Sequence, residues 1–192
     1  MSTTPPLLTE TEAVNTMLSV IGEAPINDLS GASTTDVIQA KAILNEVSRQ
    51  VQTVGWHFNT EKDYSLVPDI NQDIILASNM VKVDVDFNAD VDVVQRGAKL
   101  YDKKNHTFKF TESLKAEIVF LLPFEELPQA ARQFIMIRAA RIFQDRMVGS
   151  DSLHGFTVDD EKRALVDLQE AEGDTGDYTI FDSWGVAQIL DR

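Results

Sequence analysis

Cysteine is absent from this chain of 192 residues. Disulfides, zinc–thiolate sites and cysteine nucleophiles are therefore excluded. No apolar run approaches the ~20 residues that a membrane-spanning helix needs, so we expect no membrane anchor. The first residues carry neither the basic nor the apolar block of a signal peptide. These absences are compatible with synthesis in a reducing cytoplasm.

Catalytic motifs are missing as well. The sequence has no Gly-x-Ser-x-Gly elbow for a nucleophilic serine, no phosphate-binding glycine loop and no dinucleotide fingerprint. Its three histidines, His57, His106 and His154, are not spaced like a metal site or a catalytic triad. The sequence therefore predicts a protein that is not an enzyme and that binds no cofactor.

Positive charge is also scarce. The chain has 17 Lys and Arg against 31 Asp and Glu, a formal net charge of −14. Such a surface repels phosphate backbones, so high-affinity DNA binding is not expected. The same repulsion would suit the wall of a channel through which DNA passes without binding. We expect the arginines of the third helix to pair with carboxylates: Arg132, Arg138, Arg141 and Arg146.

A long amphipathic helix is the strongest feature that is present. Apolar residues recur at alternating steps of three and four, which places a seam along one side of a helix at about 35–54. The seam comprises Val37, Ala40, Leu44, Val47, Val51, Val54 and Phe58. Ser33 or Thr34 can cap this helix. Gly55 can end it, with Trp56 folding back near Val51. We predict that Val37, Leu44, Val47, Val51 and Trp56 belong to the structural core.

Three further helices and a sheet complete the predicted domain. A capping box at Thr9 and Glu12 begins a helix at about 9–21. Pro128 suits the first turn of a largely apolar helix at about 128–148, and Thr157 can cap a fourth at about 157–171. Between about 57 and 122, alternating apolar and polar residues predict an antiparallel sheet of four to six short strands. The prediction is an α+β domain over 1–172, an antiparallel bundle of about four helices with an inserted β-rich part.

Residues 173–192 form a predicted extended C-terminal arm. Its aromatic and aliphatic residues stand among small and acidic ones, and exposed aromatics favour association. The arm folds back on its own domain in one interpretation and packs on another subunit or a partner in the other. The candidate interaction residues are Tyr178, Phe181, Trp184, Ile189 and Leu190.

Two acidic stretches resemble chemical sites only in part. Residues 84–92 carry oxygen ligands at alternate positions, like the start of a calcium loop. The sixth position is Ala89 instead of glycine, and the twelfth is Gln95 instead of glutamate. Glu125 and Glu126 are adjacent, whereas glycosidase carboxyl groups lie about 5–10 Å apart across a cleft. We predict no metal site and no catalytic pair from them.

Two blocks of residues carry a family resemblance. The first comprises Ala13, Val14, Asn15, Leu18, Ile21, Gly22, Glu23, Pro25 and Leu29. The second comprises Ile43, Leu44, Asn45, Arg49, Gln50, Val51, Gln52, Gly55, Trp56, His57, Phe58 and Asn59, with residues 66–69 following. Together they resemble the tail tubular protein A family, the adaptor or gatekeeper proteins of short-tailed, podovirus-type phages.

The resemblance implies a structural role in the virion tail. Such proteins form a ring of twelve copies between the portal protein and the tail nozzle, tubular protein B. The ring continues the DNA channel and helps in genome retention and ejection. Double-stranded DNA would pass through without specific binding. The alternatives are a tail-associated hydrolase of bacterial envelope or capsule polysaccharide, supported only by abundant carboxylates, and a free-standing regulatory helical domain.

Overall fold

The fold combines four helices with five short strands. The computed structural model describes residues 6–31, 34–85, 90–149 and 151–176, without the side chains of 151–157. The helices are α1 (Glu10–Val20), α2 (Thr35–Gln52), α3 (Gln129–Met147) and α4 (Asp151–Thr175). The strands are β1 (Thr60–Leu66), β2 (Met80–Val85), β3 (Val93–Arg96), β4 (Lys99–Asp102) and β5 (Leu114–Phe120). The predicted α+β class, a helical bundle with an inserted antiparallel β part, is confirmed.

Helix α3 is the centre of the helical part. It contacts α1, α2 and α4, which explains why it is apolar on most sides. The fully buried Phe143 of α3 belongs to a core that all four helices share. The seam residues Val37, Leu44, Val47 and Val51 are buried in the same core.

Local signals mark both ends of α1, and the capping box at its start was predicted. The hydroxyl oxygen of Thr9 accepts a hydrogen bond from the backbone N–H of Glu12 at 3.2 Å, and the Glu12 carboxylate accepts one from the backbone N–H of Thr9 at 2.8 Å. Gly22 follows the helix with φ at +82°, a conformation that favours glycine. The local sequence therefore sets both boundaries of α1.

One prediction at the end of α2 was wrong. The helix ends at Gln52, and Gly55 turns the chain with φ at +86°. Val54 therefore leaves the apolar seam and is 68% exposed. Gln52 lies on the polar side of the helix, opposite the seam, and is only 1% exposed because the backbone of Leu122 is bound to its side chain as a polar neighbour. Trp56 does fold back as predicted, and its indole Nε1–H donates to the Val51 carbonyl at 2.8 Å.

Helix α4 is longer than predicted at both ends. It begins at Asp151 and ends at Thr175, so Thr157 lies within it and residues 173–175 are helical instead of part of the arm. The helix packs along α3, and Glu161 forms ion pairs with Arg138 and Arg141 of α3. These tertiary contacts offset the cost of Gly173 in the helix, which is about 1 kcal/mol relative to alanine.

The β part consists of two small antiparallel sheets instead of one. The first has the strand order β1-β5-β2, and β3 and β4 form the second as a hairpin. A separate apolar core lies beneath them and contains Leu66, Ile74, Leu76, Met80, Val83, Val93, Leu100, Phe110, Ala116 and Ile118. Each part of the chain therefore has its own core.

Two buried amides join the helical and β parts. The Gln52 side-chain oxygen accepts from the backbone N–H of Leu122 at 2.7 Å, and its Nε2 donates to the Leu122 carbonyl at 3.1 Å. The side-chain nitrogen of Asn59 donates to the carbonyls of Gln52 and Phe120 at 2.9 and 2.8 Å. Gln52 thus binds the chain after β5 as a neighbouring strand would.

Candidate functional site

The predicted interaction residues of the arm lie outside the described residues. They are Tyr178, Phe181, Trp184, Ile189 and Leu190. The structure describes the chain up to Gly176, one residue beyond α4. The surfaces available for a functional assignment are therefore those of the helical and β parts.

An open trough of about 530 Å³ lies beside the end of α4. Its lining includes Trp56, His57, Lys62, Lys82 and Gly176. The backbone N–H of His57 donates to the Glu172 carboxylate at 2.6 Å, which ties α4 to the start of the β part. The arm therefore begins at the edge of a surface with both aromatic and basic groups.

An apolar groove of about 320 Å³ opens between α1, α3 and α4. Met136, Ile137, Ala140 and Ala164 provide its apolar lining. Its charged lining residues are Arg141, Asp160, Arg163 and Asp167. An apolar floor with a charged border is typical of a surface that takes an apolar side chain from a partner.

The loop between β1 and β2 places apolar side chains in solvent. Ile70 is 99% exposed, and Val67 and Ile75 are also exposed. Exposed apolar groups in one loop are typical of interaction sites. We call residues 67–75 the knob loop.

The neighbouring β3–β4 hairpin has a basic and aromatic outer face. The Arg96 guanidinium lies 3.6 Å from the centroid of the Tyr101 ring, a cation–π contact. The Tyr101 ring meets the Phe108 ring edge-on with centroids 4.8 Å apart. This stacking fixes the guanidinium of Arg96 at the surface.

The Asp73 carboxylate joins the knob loop to the hairpin, and the Asp102 carboxylate holds the hairpin itself together. Hydrogen bonds from Lys99 and Lys109, at 2.7 and 3.0 Å, hold the pKa of Asp73 below its ordinary value of 3.8. Burial would raise the pKa of Asp102, but hydrogen bonds from the Asn105 side chain and from the backbone N–H groups of Asn105, Asp92 and Lys104 outweigh it and lower this pKa. Both carboxylates are therefore structural.

These lowered pKa values predict acid sensitivity. A carboxyl group with a pKa lower in the folded than in the unfolded state stabilises the fold above its unfolded pKa, and this stabilisation is lost as the pH falls through the folded pKa. Below about pH 4 we expect the melting temperature to fall less steeply in Asp73→Asn than in the original protein, as measured by circular dichroism. The control Asp63→Asn removes an exposed carboxylate 3.9 Å from Lys115 and should keep the original pH profile. Equal slopes in all three proteins would contradict the role of Asp73.

The four arginines of α3 pair with carboxylates of this chain, as predicted. Arg146 binds Glu46 of α2, whereas Arg138 and Arg141 bind Glu161 of α4. Arg132, only 5% exposed, binds Glu125. These ion pairs join α3 to its neighbours.

Arg132 and Glu125 hold the start of α1 against the start of α3. The Arg132 guanidinium donates to the carbonyls of Leu127 and Leu8 at 2.7 and 2.8 Å and also to the carbonyl of Glu125. The Glu125 carboxylate accepts from the backbone N–H of Glu10 at 2.9 Å. Glu125 is therefore engaged in a structural network, and sequence patterns missed this because the partners are up to 124 residues apart.

Within the described ranges, no three His, Asp or Glu residues gather closely enough to hold a metal ion. Of the calcium-like stretch at 84–95, residues 86–89 lie outside those ranges. No described helix is both long and apolar enough to cross a bilayer. The described surfaces include the trough, the apolar groove and the exposed apolar side chains of the knob loop.

Comparison with known proteins places the chain in a family. A family model described as tail tubular protein matches residues 11–178. The tail tubular protein A of Klebsiella phage KP34 is 24% identical over 162 residues, which cover 84% of this chain and 86% of the relative. Because the family model covers most of the chain, the chain belongs to the tail tubular protein family, whose members are structural components of phage tails.

Proposed function

We propose that this chain forms a ring, of twelve copies, between the portal protein and the tail nozzle of a short-tailed phage. The ring continues the DNA channel and helps to retain the genome and to release it. The family match over residues 11–178 carries this proposal. The sequence resemblance to tail tubular protein A, which is also the name of the KP34 relative, supports the adaptor position.

The surface charge supports a role as a channel wall. With a formal net charge of −14, the protein repels the phosphates of double-stranded DNA. DNA would then pass through the ring without specific binding. In this proposal the protein resides in the virion tail after synthesis in the bacterial cytoplasm.

The C-terminal arm is proposed to grip the portal or a neighbouring subunit. Tyr178, Phe181 and Trp184 would serve as anchors, and Ile189 and Leu190 would extend the contact. Because α4 ends at Thr175 on the surface beside the trough, the chain that follows starts from a position where it can reach another molecule. The arm would then add contact area beyond the compact body.

The hydrolase alternative gains no support from the described residues. Glu125 accepts hydrogen bonds from the backbone N–H of Glu10 and from Arg132. Glycosidases need two carboxyl groups facing each other across a cleft. We therefore propose a non-enzymatic role.

Negative-stain imaging of the protein mixed with its cognate portal ring tests the proposed function. We expect added density at one end of the portal ring. Deleting residues 178–192 should leave the melting temperature unchanged and remove that density, because the anchors are lost while the described core is intact.

A second truncation provides the control. Removing the last residue alone, Arg192, should preserve binding, since no proposed anchor is lost. Absence of added density with the full chain, at low-micromolar concentration and over a range of salt, would overturn the adaptor role. Unfolding of the 178–192 deletion would show instead that the arm belongs to the core.

A further inference from the structure

The chain that follows α4 starts at the trough beside the end of that helix. Gly176 is the last described residue and is itself part of the trough lining. The backbone N–H of Gly176 donates to the Glu172 carbonyl at 2.9 Å, and the Glu172 carboxylate accepts from the backbone N–H of His57 at 2.6 Å. Because these bonds hold the end of α4 against the start of the β part, residue 177 lies next to the trough.

One side of the trough is an apolar aromatic surface. The indole Nε1–H of Trp56 donates to the Val51 carbonyl at 2.8 Å, so the ring has no free polar group to offer. The Trp56 ring stacks with Phe58, with centroids 6.5 Å apart, which holds it in place. Nearby, the hydroxyl oxygen of Thr60 is buried without a hydrogen-bond partner among the described residues. An aromatic side chain with polar groups beside it fits such a lining.

The rest of the lining has a small excess of positive charge. Lys62 and Lys82 are exposed, and neither forms an ion pair with the described part of the chain. Glu117 is the one carboxylate among the described lining residues. Asp63 and Asp84, on the same strands as the lysines, line an adjoining depression instead. The part of this surface next to the end of α4 therefore favours a segment with carboxylates.

The sequence after Gly176 has the matching properties. Residues 177–182 read Asp-Tyr-Thr-Ile-Phe-Asp, with two aromatic rings, two carboxylates and no basic side chain. Lys62 and Lys82 belong to the two edge strands of the sheet β1-β5-β2, which are about 10 Å apart. Six extended residues reach up to about 20 Å, so this segment can span the trough.

Attachment favours this segment over any other occupant. A short tether gives it an effective concentration on the order of millimolar at the trough. A segment of a second copy would compete only at the concentration of the protein in solution. The occupant that the geometry selects is therefore the chain's own continuation.

We propose that residues 177–182 occupy the trough of their own copy while the protein is free. Tyr178 lies against Trp56, and the carboxylates of Asp177 and Asp182 face the two lysines. Both apolar cores form without this segment, so the contact covers a surface and leaves the fold unchanged.

The inference deepens the proposed function by giving the arm a binding site before assembly. It rests on that function for one point only, namely that a portal or neighbouring subunit replaces the trough as the binding site of Tyr178 and Phe181. Covering aromatic side chains until then limits non-specific association. The replacement requires that the arm bind the assembly partner more tightly than the trough.

Engineered cysteines provide a direct test, because the chain has none of its own. The full-length double variant Thr179→Cys/Glu117→Cys places one thiol in the proposed segment and one in the trough. After oxidation of the free protein with copper–phenanthroline at low-micromolar concentration, we expect an intramolecular disulfide as the main product, identified by peptide mass mapping.

The matched control is the double variant Thr179→Cys/Gln169→Cys. Gln169 is exposed on α4 and does not line the trough, and it precedes Gly176 by about 10 Å along the helix. An arm that does not bind the trough would reach both positions, whereas a bound arm should give several-fold less product with Gln169. Equal yields would overturn the proposal.

Two substitutions in the arm separate the trough contact from simple proximity. Added to the Thr179→Cys/Glu117→Cys variant, Tyr178→Ser should lower the disulfide yield several-fold, because the contact with Trp56 is lost. Trp184→Ser removes another aromatic ring of the arm, outside the proposed segment, and should leave the yield unchanged. An equal effect of the two substitutions would overturn the assignment of residues 177–182 to the trough.

Portal binding by the same variant distinguishes this inference from the proposed function. With the disulfide formed, we expect no added density on portal rings, and reduction should restore it. Density that persists with the disulfide intact would overturn the transfer of the arm. A disulfide in a protein that never binds the portal would support the trough contact and reject the adaptor function. Portal density together with cross-linking at the level of the Gln169 control would support the adaptor function and overturn the trough contact.

Discussion

Replacing Arg132 with alanine is expected to lower the free energy of unfolding by about 2–4 kcal/mol, because a buried carbonyl left without its donor costs about 1–3 kcal/mol and two partly buried carbonyls lose their donor as well. The guanidinium donates to the carbonyls of Leu8, Glu125 and Leu127. The hydrogen bond to the Leu127 carbonyl is buried, whereas those to the Leu8 and Glu125 carbonyls are partly buried, so the Leu127 carbonyl should account for the largest share of the loss. The segment before α1, which contains Leu8, should then separate from α3.

Arg146→Ala is the matched control for this prediction. Arg146 is on the same helix but pairs with Glu46 at the surface, so its loss should cost no more than about 1 kcal/mol. Urea denaturation monitored by circular dichroism measures both variants. Equal destabilisation by the two substitutions would contradict the proposed importance of the buried guanidinium.

Gln52→Leu is expected to destabilise the protein by about 2–4 kcal/mol through two unsatisfied backbone groups. The side-chain amide satisfies both the N–H and the carbonyl of Leu122. Leucine has a similar size but neither donor nor acceptor. The contact between the helical core and the end of β5 should therefore loosen first.

Hydrogen exchange gives this second prediction a local measurement. We expect the Leu122 amide to lose protection in Gln52→Leu, together with amides near the junction. The control Gln50→Leu is two residues away on the exposed side of α2 and should change stability by no more than about 0.5 kcal/mol. Unchanged protection of Leu122 in the Gln52 variant would show that the amide pair is not needed there.

The helices were predictable where local signals and periodicity agreed. The capping box at Thr9 and the glycine after α1 act through neighbouring residues, so sequence alone places those ends. The end of α4 was missed because packing on α3 and the hydrogen bond from the backbone N–H of His57 to the Glu172 carboxylate stabilise the helix at Gly173. The hydrophobic periodicity of a helix indicates which of its faces is buried. It does not indicate how far a neighbouring helix extends along that face.

Of the candidate interaction surfaces, one was predicted from the sequence and one was not. The aromatic arm was apparent from composition, and its residues 178–192 lie outside the described part of the chain. The exposed knob loop was not predicted, because no local sequence pattern distinguishes Ile70 from an isoleucine of the core. Ile70 is exposed because hydrogen bonds fix the backbone of the next residue, Asn71. The Asn71 N–H donates to the Asp69 carboxylate within the loop, and the Asn71 carbonyl accepts from Lys109, which is 38 residues further along the chain.

The sequence by itself determined the α+β class, the amphipathic helix α2, the acidic surface and the resemblance to tail tubular proteins. These properties depend on composition and on residues close together in the chain. Tertiary structure alone decided that Gln52 and Arg132 are buried, that the strands divide into two sheets, and that α1, α3 and α4 leave an apolar groove. Each of these depends on groups brought together from distant positions, where a polar side chain can be buried once its hydrogen bonds are satisfied.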